Sequence, residues 1–132
     1  VNAILPRKIP KAPKRDTRWR SPAHCNHVRE YACAMCGSTT NVVAAHVKMG
    51  AHTGMGQKGD DWRTVPLCDG AAANAGGMLG CHNRQHLIGE ETFWNRYAEL
   101  KGHTVWQLID ELCAASPKRR EIADIRKDRE RA

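Results

Sequence analysis

The chain has 132 residues, a formal net charge of +7 and a pI near 9.4. That length suits one domain, and an aromatic content of 5% promises only a modest core, which a bound metal would help to staple. The basic balance points to a polyanionic partner. No apolar run is long enough to span a bilayer and residues 1–22 hold no secretory-type apolar segment, so a membrane or secreted protein is not expected.

Residues 1–20 read as an extended, Pro-rich basic arm. Arg7, Lys8, Lys11, Lys14, Arg15, Arg18 and Arg20 are offset only by Asp16, and Pro6, Pro10 and Pro13 forbid a regular helix. It is either a phosphate-tracking arm, in which Arg15, Arg18 and Arg20 are candidate nucleic-acid contacts, or a solubilising tail or linker. Ser21-Pro22 opens a helix expected to run to about Tyr31. Asn41–Val47, β-branched and apolar, reads as a strand, the Gly-rich segment 51–61 as a loop, and Trp62–Leu67 as a second strand. Residues 69–80 form an irregular insertion. Helices follow from Cys81 to about Ile88, from Glu90 to Leu100, from a Thr104 cap to Ala115, and from Ser116-Pro117 to the C-terminus. Phe93, Trp94, Trp106, Leu108, Ile109 and Leu112 are expected in the core.

Six cysteines in a reducing cytosol are ligands or buried thiols rather than disulfides. Cys33 and Cys36 form a Cys-x2-Cys knuckle followed by Gly37, and tight turns of this kind present two thiolates to zinc. Cys68 at a strand end and Cys81 at a helix start would complete a structural Zn²⁺ site; the bland alternative is four unrelated thiols. Cys25 and Cys113 read as small buried hydrophobes. His82 and His86, four residues apart, share one face of a helix and suit a divalent ion. Alone, a pair at that spacing arises by chance. His46 late in the apolar strand changes the balance, because a polar residue there needs a reason.

These motifs carry a resemblance. Cys33-Ala-Met-Cys36-Gly37, Ala44-Ala45-His46-Val47, Thr53-Gly54-Met55-Gly56-Gln57-Lys58, Asp60-Asp61, Val65-Pro66-Leu67-Cys68, Cys81-His82-Asn83-Arg84-Gln85-His86, Gly89-Glu90 and Phe93-Trp94 follow in order. Together with Ser21-Pro22-Ala23-His24 and Val28-Arg29, they resemble the HNH (ββα-metal) nucleases, and within them the phage and prophage HNH proteins related to the RecA-dependent Ref nuclease. The resemblance implies an α+β fold: a small ββα-metal, treble-clef-like core with a structural zinc over residues 21–116. Helices would flank it, with the basic arm before it and a charged helix, residues 117–132, behind it.

It also implies a metal-dependent endonuclease that hydrolyses DNA with little sequence preference, leaving 5′-phosphate and 3′-hydroxyl ends. RNA presents the same backbone charge. His46 would be the general base, and His82 and His86 would hold a catalytic divalent ion (Mg²⁺, Mn²⁺, Ni²⁺ or Zn²⁺), the three rings converging on a single cation. Lys58 and Arg84 would meet the scissile phosphate. Ala45 stands where many HNH proteins carry a metal-binding residue, and Asp61 substitutes for the usual base-orienting Asn, either by bonding His46 or by reaching the ion. The alternative is a zinc-stabilised nucleic-acid-binding module with an idle centre. Either reading suits the cytoplasm of a bacterium or phage-infected host, and a recombination protein as a further partner.

Overall fold

The computed structural model of the chain describes residues 18–50, 59–70 and 80–131. Most of the basic arm, including Arg15, the glycine loop with Lys58, and nearly all of the insertion lie outside the described residues. Among the described residues no helix is long and apolar enough to cross a membrane.

Helix α1 spans Pro22–Arg29. Ser21 caps it, its hydroxyl accepting the His24 N–H at 3.1 Å, and Pro22 occupies the first turn where no backbone donor is needed. The helix ends two residues earlier than expected, where the Glu30 and Tyr31 N–H groups turn back to His27 and Val28 carbonyls. Strand β1 (Val42–His46) pairs antiparallel with β2 (Thr64–Cys68), placing Val42 opposite Cys68 and His46 opposite Thr64. The second strand was expected to begin at Trp62. Instead Asp61–Arg63 form one 3-10 turn, because the Arg63 N–H bonds the Asp60 carbonyl and the Thr64 hydroxyl bonds that of Asp61.

After the sheet come α2 (Cys81–Ile88), α3 (Glu90–Lys101), α4 (Val105–Ala114) and α5 (Arg119–Arg131). The Gly89 backbone, at φ 90°, turns α2 into α3 with a conformation L side chains resist. Thr104 and Gln107 form a reciprocal capping box on α4. All of β2 is buried, with α1, α2 and α4 packed against it. Val65, Leu67, Phe93, Trp94, Tyr97, Ile109, Leu112 and Ile122 belong to one apolar cluster. Phe93, Trp94 and Tyr97 meet edge to face at 4.9 and 5.2 Å.

Trp106 departs from expectation. The inward face of α4 is Val105, Ile109 and Leu112, at i, i+4 and i+7, which rotates Trp106 outward to 37% exposure. Its ring lies over the Arg63 guanidinium at 5.0 Å.

Candidate functional site

The Cys33–Cys36 turn is closed by the Gly37 N–H on the Cys33 carbonyl and by the Cys33 N–H on that of Ser38. Gly37 takes φ 76°, the left-handed conformation that this tight turn requires. The Ala34 N–H then docks the knuckle on the Pro66 carbonyl of β2. From the other side, α2 starts hard against the strand end. A Cβ on Gly80 would stand 2.7 Å from the Cys68 carbonyl oxygen and 2.9 Å from the Asp69 carbonyl carbon, so only glycine permits this approach. The Cys81 N–H points at the Cys68 sulfur, at 3.3 Å.

The result gathers Cys33, Cys36, Cys68 and Cys81 with all four sulfurs within 4.8 Å of one another. Cys36 and Cys68 are 3.6 Å apart, far beyond a disulfide bond and close to the edge of about 3.8 Å expected for two thiolates on tetrahedral zinc. Hydrogen bonding from the Cys81 thiol pulls the Cys33 thiol down, against the upward push of burial; the Cys81 thiol is held up in return, and burial is the main cause that raises the Cys68 thiol. Four crowded sulfurs cannot all ionise alone, and a dication would let them do so. The donor set therefore fits a structural metal ion.

His46, at the end of β1, is half-buried. Its Nε2 lies 3.0 Å from Asp61 Oδ1. A carboxylate oxygen accepts, so Nε2 is the donor of this contact, and in the neutral ring the lone pair is then at Nδ1. The other Asp61 oxygen takes the Ser21 N–H at 2.8 Å. Burial first, and the negative charge of Asp61 second, push the Cys25 thiol up to about 11. Cys25 is thus a protonated core residue beside the carboxylate. Of the two roles open to Asp61, the contact with His46 is the one formed.

His82 and His86 on α2 direct their Nε2 atoms at each other, 3.1 Å apart. Two imidazoles on one tetrahedral ion at about 2.0–2.1 Å would stand about 3.3 Å apart, so this spacing is near that of a shared ion. Asp69 Oδ1 meets His82 Nδ1 at 3.1 Å, the kind of outer contact that fixes a ligating ring. Asp69 has no sequence signal beyond following Cys68. The three rings do not form one ligand set. Among the described residues, the four cysteines are the one group of three or more potential ligands with mutual spacing within 4.8 Å. His46 pairs with its carboxylate and the other two with each other, because strand and helix carry them separately.

Arg84 is exposed, and at 100° per residue it projects from the side of α2 opposite His82 and His86. It suits a flanking phosphate, not one held at the histidine pair. Asn83 bonds the Gly70 N–H at 2.7 Å and ties α2 to the strand end. Glu90 accepts the N–H groups of Lys48 and Met49 and the amide of Gln85, clamping the exit of β1 to the start of α3. Arg20 is exposed and Arg18 half-buried at the root of the arm.

These features define an α+β protein with a cysteine cluster able to hold a metal ion, a histidine–aspartate pair and a histidine–histidine pair. Residues 1–76 match the family model described as a protein of unknown function (DUF968), and the chain belongs to that family. The match takes in Cys33, Cys36, His46, Asp61 and Cys68, and stops short of α2. No curated protein and no solved structure matches the chain.

Proposed function

We propose that the chain is a metal-dependent endonuclease of the HNH type, cutting DNA phosphodiester bonds on a ββα frame stapled by zinc at Cys33, Cys36, Cys68 and Cys81. The observation that carries this reading is the His46–Asp61 contact at 3.0 Å, which in the neutral ring leaves the imidazole lone pair at Nδ1, on the first of the two strands that precede the histidine-bearing helix. A neutral imidazole so held is suited to take a proton from water near neutral pH. Asp61 keeps the ring in that tautomer and stabilises the imidazolium that forms. His82 and His86, with Asp69 behind, are the residues that would hold a catalytic divalent ion, which when bound supplies charge for the phosphate and the departing 3′-oxygen. Basic residues of the arm supply sequence-independent affinity for the backbone.

One observation favours a second reading, a zinc-stabilised nucleic-acid-binding module without catalysis. Ala45 is buried in the core at 2% exposure, so the residue before His46 offers no ligand and the histidine pair lacks a third protein donor among the described residues. A plasmid-nicking assay with Mg²⁺, Mn²⁺, Ni²⁺ or Zn²⁺ separates the two. Nicking by wild type, reduced at least a hundredfold in both His46→Ala and His82→Ala while DNA binding persists, is the expected result. DNA binding with no cleavage under any metal would leave the module reading.

A further inference from the structure

The C-terminal helix lies outside the stretch that resembles a nuclease, yet it is wired to the His46–Asp61 pair. Trp19, where the arm enters the fold, is 8% exposed and held at three points. Its N–H bonds Asp60 Oδ1 at 2.7 Å, its carbonyl accepts the Asp61 N–H at 2.9 Å, and its indole N–H reaches Glu121 of α5 at 2.9 Å. Asp60 is itself gripped from α5, where Arg129 donates Nε to Oδ2 at 2.8 Å and Nη2 to Oδ1 at 3.0 Å, and the Trp62 indole adds a further donor at 3.2 Å. Two residues after Trp19, the Ser21 N–H takes one oxygen of Asp61, whose other oxygen holds His46. A bidentate guanidinium–carboxylate pair fixes direction as well as distance. Asp61 is therefore linked, through Asp60 and the 19–21 segment, to side chains of the C-terminal helix.

We infer that Arg129 and Glu121 are positioning residues for the His46–Asp61 pair, acting through Asp60 and Trp19. In the catalytic sense this rests on the nuclease reading, and the test keeps the two apart. Both side chains are substantially exposed, so Arg129→Ala and Glu121→Ala should fold, and far-UV circular dichroism checks that they do. Two readouts are taken on the full chain: kcat and KM for plasmid cleavage across pH, and the His46 ring tautomer from long-range proton–nitrogen spectra of labelled protein.

The expected result is a fall in kcat of about tenfold with KM within about twofold of wild type, and a His46 ring moved from the single Nε2–H tautomer toward a mixture. Arg129→Lys, which keeps one ion pair, should recover part of both. An unchanged kcat together with a wild-type tautomer overturns the inference. So does a raised KM at constant kcat, which would make Arg129 a DNA contact. If wild type cleaves nothing but the tautomer still shifts in the variants, the nuclease reading fails and the positioning role stands.

Discussion

Asp61 is where a single atom decides most. Its two oxygens serve two N–H donors, from His46 and from Ser21. Asparagine has one acceptor oxygen and can satisfy only one of them. Either its amide faces His46 and reverses the tautomer, or it faces the Ser21 N–H as donor against donor. On the nuclease reading, Asp61→Asn is therefore expected to lower kcat, and Asp61→Ala, which removes both acceptors, to lower it further, with little change in KM, measured on plasmid DNA. His24 makes a different prediction. It is fully buried, Nδ1 lies 2.8 Å from the Ser116 hydroxyl, and burial with the nearby His27 lowers its pKa from 6.5 to about 4. The unfolded chain takes up a proton near 6.5 that the fold refuses until about 4. Stability conferred by the neutral ring is thus complete above 6.5 and is lost as pH falls toward 4, at up to about 1.4 kcal/mol per pH unit. Urea midpoints against pH should fall more steeply over that window for wild type than for His24→Gln; parallel curves would refute the assignment. The Asp61–His46 contact is one of the two roles that the sequence leaves open for Asp61. The ring at His24, by contrast, bonds a serine 92 positions on, and no local pattern announces that.

At the scale of elements, the sequence spoke most clearly where periodicity and caps agree. The Ser21-Pro22 start, the Thr104 cap and the Cys81–Ile88 helix stand as expected. It misled at Trp62, whose bulk suits a strand, because the turn chemistry of Asp60 and Thr64 prevailed. It misled again at Trp106, where one residue of helical phase separates core from surface. The junction of β2 with α2 tests the packing directly. A methyl on Gly80 collides with backbone atoms of Cys68, Asp69 and Gly70, none of which can rotate away. Gly80→Ala must push α2 off the strand end and open the sulfur cluster. A loss of about 1–3 kcal/mol in thermal unfolding is expected, with faster release to a chromophoric chelator of whatever metal ion the four cysteines hold. Wild-type behaviour in both would show that α2 has freedom the present contacts deny it.

For the whole molecule, the cysteine cluster is where three pieces meet: the knuckle, the strand pair and α2. A two-stranded sheet is marginal by itself, so stripping the metal should cost several kcal/mol, on the order of a 10 °C drop in Tm, reversed by adding zinc back. A Tm indifferent to chelators in metal-free buffer would argue that the apolar cluster alone holds the fold. The spread of contacts explains what sequence could convey. Cysteines and histidines declare themselves by type and spacing, whereas Glu121 and Arg129 look like ordinary charges of a solvated helix until the chain is folded. The four tryptophans are also spread. Trp94 sits in the core, Trp62 lies beneath the guanidinium groups of Arg63 and Arg126, Trp106 meets solvent, and Trp19 is pinned where the arm begins. The protein thereby carries its own optical label: with the other three indoles changed to phenylalanine, emission colour and quenching of the remaining one would report, without any added dye, whether the arm root stays seated when a polyanion arrives.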